Sequence, residues 1–475
     1  MIPLRYGADG TGRREDPTMR AFRADRFGQF VHWGLYALPA GTWKGQTIEF
    51  AAEFLMQSAG VSREEWSALA ADFTLDGFDP AAWARTAKRM GARYVTVTTK
   101  HHDGFCLWPT AHTDFSVAAT PSGRDVLGEI LDAYRAEGLA THLYYSVLDW
   151  HHPDWRCAVD SDSDREAFER YLRFATDQLL ELAERYPQVR GFWFDGTWDA
   201  SVKANGRWTH EIERLLKERI PGVIVNSRLR ADDHGARHFD SNGALMGDYE
   251  SGYERRLPAP WDLSVTAHDW EACATLTQAS WGFHDSDWAE RGRKTPAQIV
   301  EQLAQTVSLG GNLLLNFGPR GDGSLAPVEV ALAEEVGAWM AVNGPAVHDS
   351  GPAAGWDYPG WGFYTAPLEH TAPFRNAAPQ EPETPDEDPT GIVHAIVVRI
   401  PVSGLLTLAL PAGVALRAVR ARADGTELPF TPLDAHTVQL AAPAPTGMPT
   451  VLVLETGSAG PADGLSEPNP DVALV

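Results

Sequence analysis

Residues 187–199 read PQVRGFWFDGTWD, an apolar run that ends at Asp195 and Gly196. A run rich in β-branched and aromatic residues and closed by glycine is typical of a buried strand that leads into a loop. The pattern therefore predicts a carboxylate at the point where the chain leaves the core. An Asx-turn or a helix cap is the other common role for an aspartate in such a position.

Similar apolar runs recur from about residue 27 to 345 and alternate with amphipathic helical patterns. The apolar runs are RFGQFVHWG, ARYVTVTTKHH, LATHLYYSVLDW, VRGFWFDG, GVIVNSRL, TLTQASWGF and GNLLLNFGP. The helical patterns are AAWARTAKRMGA, DVLGEILDAYRAEG, SDREAFERYLRFATDQLLELAERY, WTHEIERLLKERI and TPAQIVEQLAQTVS. This repetition predicts parallel βαβ units, in a barrel or an open doubly wound sheet. Because the chain has neither a Gly-x-Gly-x-x-Gly after the first strand nor a Walker loop, an α/β fold with a (β/α)8-like barrel is favoured.

The composition changes after the helical pattern APVEVALAEEVGAWMAVNG. Short alternating runs such as GIVHAIVVRIPV and PTVLVLET follow, with turn residues between them, as in a β-sandwich. We expect a barrel domain over 1–345 and a C-terminal β-sandwich over 352–457. A disordered acidic, Pro-rich loop at 376–391 and a flexible tail at 458–475 are also expected.

The charge of the chain limits its partners. The 475 residues include 64 acidic and 40 basic side chains, which gives a net charge of −24. Such a charge repels phosphate backbones and anionic membranes, so we expect neither nucleic acid nor a membrane as partner. The 17 tryptophans suit stacking on sugar rings.

The cysteines and the first residues indicate a compartment. The three cysteines lack the spacing of a zinc site or a disulfide framework. We see neither a signal-peptide pattern nor a membrane-spanning window, and therefore expect a cytoplasmic protein. The oligomeric state is left open.

Polar and aromatic side chains gather where the predicted strands end, which is where barrels of this type carry their chemistry. They are His32, Trp33, Lys100, His101, His102, Asp103, Tyr145, Asp195, Asn226, Arg228 and Trp281. Together they predict a sugar site, with hydrogen-bonding groups for hydroxyls and an aromatic wall.

The stretch KHHDG (100–104) also suggests a metal site. Adjacent residues on a strand point to opposite faces, and the chain has no His-x-His or His-Glu-x-x-His motif to complete a ligand set. A hydroxyl-binding role is therefore favoured over metal binding, and structural histidines remain an alternative.

In their order along the chain, these motifs resemble the α-L-fucosidases of glycoside hydrolase family 29. The matching stretches are RFGQFVHWGLYALPAGTW, AKRMGARYVTVTTKHHDGFCLWPTAHTDFSV, YYSVLDWHHP, GFWFDG, NSRL, WEACATLTQASWGF and GGNLLLNFGPRGDGSL. The resemblance implies a barrel-like catalytic domain, a β-sandwich, and retaining hydrolysis of terminal α-L-fucose through a covalent fucosyl-enzyme, without metal or organic cofactor. The alternative is a catalytically weak carbohydrate-binding relative of the same fold.

The resemblance also assigns roles to residues. Asp195 matches the nucleophile. The side chains implied to contact fucose are His32, His101, His102, Tyr145, Trp193 and Arg228. Trp43 and Glu53 rank after these, because TWKGQTIEF departs from the family's usual Glu-Trp-Tyr pattern. We expect Trp281 or Phe283 to face the methyl group of fucose.

The acid/base is implied to lie in GDYESGYERRLP (247–258). Glu254 fits the family's spacing better than Glu250, and Glu271 is a third candidate of more structural character. We expect Arg255 and Arg256 to face solvent or another acid, because an inward cation would favour the charged form of a group that must begin protonated.

Overall fold

The computed structural model describes residues 13–368 and 391–459. Up to residue 345 the strands are β1 (Phe27–Val31), β2 (Thr42–Trp43), β3 (Gln46–Thr47), β4 (Tyr94–Lys100), β5 (Ala140–Ser146), β6 (Gly191–Asp195), β7 (Ile224–Val225), β8 (Glu250–Glu254), β9 (Trp270–Ala274) and β10 (Asn312–Phe317). All of them except the small β2–β3 hairpin form one parallel sheet in the order β7-β6-β5-β4-β1-β10-β9-β8.

The two edges of this sheet meet, so the sheet curls into a barrel. A parallel bridge pairs Asn226, next to β7, with Tyr249, next to β8. The Asp248 amide donates to the Val225 carbonyl over 2.8 Å, and the Ser227 amide donates to the Tyr249 carbonyl over 2.9 Å. Every residue of β1, β4, β9 and β10 is buried. Their apolar runs are continuous because helices or barrel interior cover both faces.

Eleven α-helices are present in the described residues. They are α1 (Pro17–Asp25), α2 (Leu55–Ser58), α3 (Arg63–Ala68), α4 (Pro80–Met90), α5 (Val126–Ala136), α6 (Asp162–Arg185), α7 (Ala200–Lys203), α8 (Gly206–Arg219), α9 (Asp287–Glu290), α10 (Pro296–Ser308) and α11 (Pro327–Asn343). The five predicted helical patterns coincide with α4, α5, α6, α8 and α10. Local signals set their ends: α4 begins after Asp79, which caps it, and ends at Gly91 in the left-handed region (φ 95°).

Two connections depart from a regular (β/α)8 barrel. Residues 226–249 between β7 and β8 are all described, and they form no helix. Between β8 and β9 only a short 3₁₀ helix occurs, Leu263–Ala267. The wall of the barrel next to β8 therefore lacks the helical layer that covers the other strands.

One strand prediction is wrong, and one observed strand was not predicted. TLTQASWGF (275–283) is a loop, and the strand of this region is the preceding β9. β8 was not predicted as a strand, because ESGYE is mostly polar and half-buried, and its pairing with β9 shifts register between Glu250 and Tyr253. Such a strand lacks both the apolar run and the alternation that identify strands in a sequence.

The C-terminal part consists of two packed antiparallel sheets. Its strands are β11 (Ser350–Pro352), β12 (Gly362–Pro367), β13 (Gly391–Val397), β14 (Leu405–Ala409), β15 (Val414–Ala421), β16 (Phe430–Pro432), β17 (Thr437–Ala441) and β18 (Thr450–Ser458). One sheet has the order β11-β12-β13-β18-β15 and the other β14-β17-β16. Side chains from both, such as Leu454 and Leu440, share one core. All of the predicted acidic loop except Gly391, and residues 460–475 of the predicted tail, lie outside the described residues.

The sandwich is packed onto α11 and the main core. Phe363, Ile396 and Val451 belong to the same buried cluster as the barrel side chains. The Trp339 indole donates to the Pro449 carbonyl over 2.7 Å. No helix among the described residues has both the length and the apolar character that crossing a membrane requires.

Candidate active site

A cavity of about 90 Å³ opens at the carboxyl ends of the barrel strands. It is small beside the ~300–1,000 Å³ pockets that hold drug-sized ligands, so it suits a group the size of one monosaccharide. The residues that line it are Phe30, His32, Phe54, His101, His102, Tyr144, Trp193, Asp195, Trp198, Arg228, Glu254 and Trp281. The lining combines charged groups, imidazoles and aromatic rings.

Asp195 is the last residue of β6. Its Oδ1 accepts a hydrogen bond from Arg228 Nη1 over 3.0 Å, and its Oδ2 accepts one from the Tyr144 hydroxyl over 3.2 Å. His102 Nε2 lies 3.9 Å from Oδ2. Burial by itself raises the pKa of Asp195, but Arg228, His102 and the hydrogen bonds outweigh it and hold this pKa below the usual value. Asp195 is therefore ionised at neutral pH.

Glu254 is the last residue of β8 and is half-exposed. Its Oε2 accepts a hydrogen bond from Arg228 Nη2 over 2.8 Å. The expectation for Arg255 is wrong in part: it is exposed and donates to the Ala279 carbonyl, yet its Nη2 also lies 3.5 Å from Glu254 Oε1. Arg256 is exposed, as expected.

Arg228 bridges the two carboxylates. One guanidinium nitrogen contacts Asp195 and the other contacts Glu254. The guanidinium carbon also lies 4.7 Å from the centre of the Trp193 ring. Burial lowers the pKa of Arg228, but the two carboxylates more than offset this and raise it. A planar cation in this position can hold both carboxylates with separate donors.

The other two acid/base candidates do not line the cavity. Glu250 Oε2 lies 2.6 Å from His268 Nε2. Glu271 is buried beneath the site, where it accepts hydrogen bonds from Tyr94 Oη over 2.6 Å and from Trp193 Nε1 over 2.9 Å. Burial raises the pKa of Glu271 to about 7. Glu271 thus fixes the indole of Trp193 and does not reach the space of a ligand.

The three predicted histidines all line the cavity and are buried. His32 Nδ1 lies 2.7 Å from Asn316 Oδ1, and His102 Nδ1 lies 2.6 Å from Ser146 Oγ. Burial lowers the pKa of His32 to about 3 and of His102 to about 4, and it lowers the pKa of His101 well below the usual value. Neutral imidazoles have one donor and one acceptor nitrogen, which suits binding of hydroxyl groups.

The structure places Tyr145 away from the cavity, and the prediction for this residue needs correction. The Tyr145 hydroxyl donates to Gln178 Oε1 over 2.9 Å, and its ring lies 4.6 Å from Lys100 Nζ. Tyr144 lines the cavity in its place and stacks on His101 with ring centres 5.4 Å apart. The reason is the alternation of a strand, which sends adjacent side chains to opposite faces.

Trp43 and Glu53 also lie outside the cavity lining. Trp43 packs on Trp66 with ring centres 6.1 Å apart. Glu53 Oε2 accepts hydrogen bonds from the amides of Trp281 over 3.1 Å and Gly282 over 2.9 Å, and burial raises the pKa of Glu53 to about 7. Glu53 therefore holds the loop that carries Trp281.

Of the two residues expected near a methyl group, only Trp281 lines the cavity. The ring of Phe283 lies 5.5 Å from the guanidinium carbon of Arg320 and lines a separate, smaller cavity. Trp281 packs on Phe30 with ring centres 5.7 Å apart, so the two rings form an apolar corner.

Sequence reasoning missed four lining residues, Phe30, Phe54, Tyr144 and Trp198. Phe30 lies two positions before His32 and so shares its face of the strand. Trp198 lies three positions after Asp195 in WFDGTW, and this proximity could have identified it as a lining residue. We find no sequence signal for Phe54.

Lys100 and Asp103, at either side of the two histidines in KHHDG, contact other side chains of the protein. Lys100 forms a buried ion pair with Asp149 over 3.0 Å, and Asp103 accepts a hydrogen bond from the Trp66 indole over 3.1 Å. Within residues 13–368 and 391–459 no group of three or more His, Cys, Asp or Glu side chains is arranged to hold a metal ion.

Comparison with known proteins supplies the context of this site. The alpha-L-fucosidase family profile matches residues 3–345. The tissue alpha-L-fucosidase of Rattus norvegicus is 31% identical over 367 residues, which cover 74% of each chain. The crystal structure of an alpha-L-fucosidase GH29 from Bacteroides thetaiotaomicron is 45% identical, covers 96% of this chain and 99% of its own, and has a TM-score of 0.88. A second structure from that organism, a trapped covalent intermediate with 2-fluoro-fucosyl fluoride, is also 45% identical, with a TM-score of 0.88 over 96% of this chain and all of its own.

Proposed function

The chain belongs to the alpha-L-fucosidase family, glycoside hydrolase family 29, and on that premise we propose that it is a retaining exo-α-L-fucosidase that releases terminal fucose from oligosaccharides or glycoconjugates. The observation that carries the proposal is the bridge from Asp195 through Arg228 to Glu254 in the lining of a cavity of about 90 Å³. Retaining glycosidases need two carboxyl groups about 5–5.5 Å apart.

In the proposed reaction Asp195 is the nucleophile. Glu254 first takes up a proton from solvent, which removes the negative charge that it shares in the ion pair with Arg228. The ionised carboxylate of Asp195 then attacks the anomeric carbon while Glu254 donates this proton to the glycosidic oxygen, whose bond to that carbon breaks. Glu254 then takes a proton from a water molecule, which attacks the anomeric carbon and releases Asp195. The covalent intermediate trapped in the 45% identical relative supports this scheme.

The remaining lining residues have roles in binding the sugar. The neutral rings of His32, His101 and His102 are suited to the hydroxyl groups. Arg228 keeps Asp195 ionised and adds a donor beside it. Phe30 and Trp281 offer the apolar corner that the methyl group of a 6-deoxy sugar needs.

The size of the cavity supports attack on a terminal residue. A space of about 90 Å³ has room for one sugar ring, and its deeper lining residues are buried. The chain that carries the fucose must then remain outside, as in an exo-acting enzyme.

Hydrolysis of an aryl α-L-fucoside tests the proposal. We expect turnover with α-fucose as the first product in NMR spectra, unchanged by a chelator, and a loss of kcat of at least ~10³-fold in Asp195→Ala. Binding of fucose without turnover would instead identify a carbohydrate-binding relative. Loss of turnover with chelator would indicate a metal-dependent reaction.

Azide rescue tests the acid/base. Glu254→Ala should regain turnover of an activated aryl fucoside when azide is added. Azide attacks the anomeric carbon in place of water, and unlike water it needs no general base. Glu250→Ala is the matched control, since Glu250 is paired with His268 away from the cavity. Rescue of Glu250→Ala and not of Glu254→Ala would reverse the assignment.

A further inference from the structure

The ring of His102 is held by Ser146, the last residue of β5. Ser146 Oγ lies 2.6 Å from His102 Nδ1 and donates its own proton to the Leu148 carbonyl over 2.6 Å. A hydroxyl has only one proton to donate, so Ser146 Oγ accepts the hydrogen bond from His102. In the opposite arrangement two oxygens would face each other at 2.6 Å with no proton between them. The proton of the His102 ring is therefore on Nδ1.

The other ring nitrogen of His102 is consequently an acceptor. Burial lowers the pKa of His102 to about 4, so the ring is neutral at neutral pH and carries a single proton. Its Nε2 lies 3.9 Å from Asp195 Oδ2. The negative charge of Asp195 favours a proton on Nε2, and the hydrogen bond to Ser146 opposes this. The partner of one ring nitrogen thus decides what the other nitrogen offers to a ligand.

His32 has the same polarity as His102. Its Nδ1 donates to Asn316 Oδ1 over 2.7 Å, and Asn316 Nδ2 donates to the Trp281 carbonyl over 2.6 Å, which keeps the amide oxygen turned towards the ring. His101 differs, because its buried Nδ1 has no hydrogen-bond partner within residues 13–368 and 391–459. Two of the three imidazoles therefore present Nε2 as an acceptor, and of these two His102 is the one that faces Asp195.

The place of His102 beside Asp195 indicates which group of the sugar meets Nε2. If Asp195 attacks the anomeric carbon C1, the nearest hydroxyl is that on C2, since the other ring neighbour of C1 is the ring oxygen. Positive charge develops at C1 in the transition state and makes the 2-hydroxyl a stronger donor, so hydrogen bonds from it strengthen there. An acceptor nitrogen has the polarity that this change requires.

We propose that Ser146 is a positioning residue, which holds the proton of His102 on Nδ1 so that Nε2 accepts a hydrogen bond from the 2-hydroxyl of the sugar. The inference rests on the proposed function, since it takes Asp195 as the nucleophile and fucose as the ligand. Ser146 is buried, does not line the cavity, and acts only through the imidazole. Without Ser146 the proton moves to Nε2, and the 2-hydroxyl loses its acceptor.

Two substrates test the effect on catalysis, an aryl α-L-fucoside and its 2-deoxy analogue. The measured quantity is the ratio of kcat/KM for the fucoside to kcat/KM for the analogue, which cancels any effect of a substitution that does not involve the 2-hydroxyl. We expect Ser146→Ala to lower this ratio about tenfold, chiefly through kcat, because one hydrogen bond of the transition state is lost. Ser146→Thr, which keeps the hydroxyl, should preserve most of the ratio.

Ser67→Ala is the matched control. Ser67 Oγ lies 2.8 Å from His151 Nε2, so this variant also removes a contact between a serine and a histidine, but neither residue lines the cavity. The ratio in Ser67→Ala should equal that of the unsubstituted protein.

Nitrogen-15 NMR spectra of histidine-labelled protein test the tautomer directly, because they distinguish a protonated from an unprotonated ring nitrogen. The signals of His102 are those that disappear in His102→Asn. We expect the proton on Nδ1 in the unsubstituted protein and on Nε2 in Ser146→Ala. The spectrum of the unsubstituted protein decides the tautomer even if Ser146→Ala is poorly folded.

The outcomes separate the two proposals. A proton on Nε2 of His102 in the unsubstituted protein would overturn the inference. An unchanged ratio in folded Ser146→Ala would also overturn it, since Ser146 would then contribute only packing. If the unsubstituted protein hydrolysed neither substrate, the proposed function would be refuted, while the spectra would still decide whether Ser146 sets the tautomer.

Discussion

The Tyr144 hydroxyl donates a hydrogen bond to Asp195 over 3.2 Å, whereas Tyr145, the next residue, bonds to Gln178 on the other side of the sheet. The two residues are chemically identical and both are buried. They therefore form a natural pair for separating contact with the proposed nucleophile from packing in the barrel wall.

Tyr144→Phe should lower kcat/KM for an aryl fucoside roughly tenfold, because one hydrogen bond to a charged carboxylate is lost. Tyr145→Phe should leave kcat/KM unchanged and affect only the free energy of unfolding. Steady-state kinetics and denaturant titration of both variants make the comparison. Equal kinetic losses would show that Tyr144 has no particular role at Asp195.

Arg228→Lys should lower kcat/KM by about 10²-fold. A lysine ammonium is a compact charge and cannot bond both carboxylates with two parallel donors, so Asp195 and Glu254 lose their common support. Arg256→Lys, a change at an exposed site, is the control. Wild-type kinetics in Arg228→Lys would mean that charge alone, without the bridge, suffices.

Glu271→Gln should alter how stability depends on pH. The unfolded pKa of a glutamate is about 4.3, and burial raises the folded value to about 7. The stability that Glu271 contributes is therefore fully present below pH about 4.3 and is lost as pH rises through the folded pKa. Glutamine does not titrate, so the free energy of unfolding of the variant relative to the original protein should increase across this window.

Urea unfolding of Glu271→Gln at several pH values measures this effect, with Glu335→Gln, at an exposed helix position, as the control. A constant difference between variant and original protein would contradict the prediction. Because Glu271 also holds the Trp193 indole, we expect a fall in kcat that a change in pH does not restore.

His32→Gln should make the protein less sensitive to mild acid. The folded pKa of His32 is lowered to about 3 by burial, while an unfolded histidine titrates near pH 6.5. As pH falls below about 6.5 the unfolded chain binds a proton that the folded chain does not, and the free energy of unfolding falls until pH about 3. Thermal unfolding across this range should show a smaller loss in His32→Gln than in the original protein or in the exposed control His112→Gln.

Much of the barrel could be predicted because its strands and helices carry strong local patterns. Six of the seven apolar runs and all five helical patterns correspond to observed elements. β8 was not predicted because it is short, polar and half-buried. Its pairing with adjacent strands, and not a pattern in its own residues, determines that it is a strand. The loop 275–283 was mistaken for a strand because its buried residues are held by Glu53, which is distant in sequence.

The site residues that could be predicted are likewise those that follow strongly patterned strands. Asp195 and the histidines could be placed because they end strands with clear apolar runs. The choice between Tyr144 and Tyr145 could not be made, since both faces of β5 are buried and the alternation leaves no mark in the sequence. Phe54 ends a short 3₁₀ helix (Ala52–Phe54) and Trp198 lies on a loop, and only the folded chain brings them beside His102.

Residues 226–249 form no helix, and only a short 3₁₀ helix lies between β8 and β9. This affects where related chains can gain or lose residues. Where a crossover is only a surface loop, insertions and deletions leave the helical layer intact, and their entropic cost grows slowly with length. The connections before and after Glu254 can thus change length. β6, which carries Asp195, is held by its pairing with β5 and β7. Related chains should accordingly align without gaps at the nucleophile and with gaps around the proton donor.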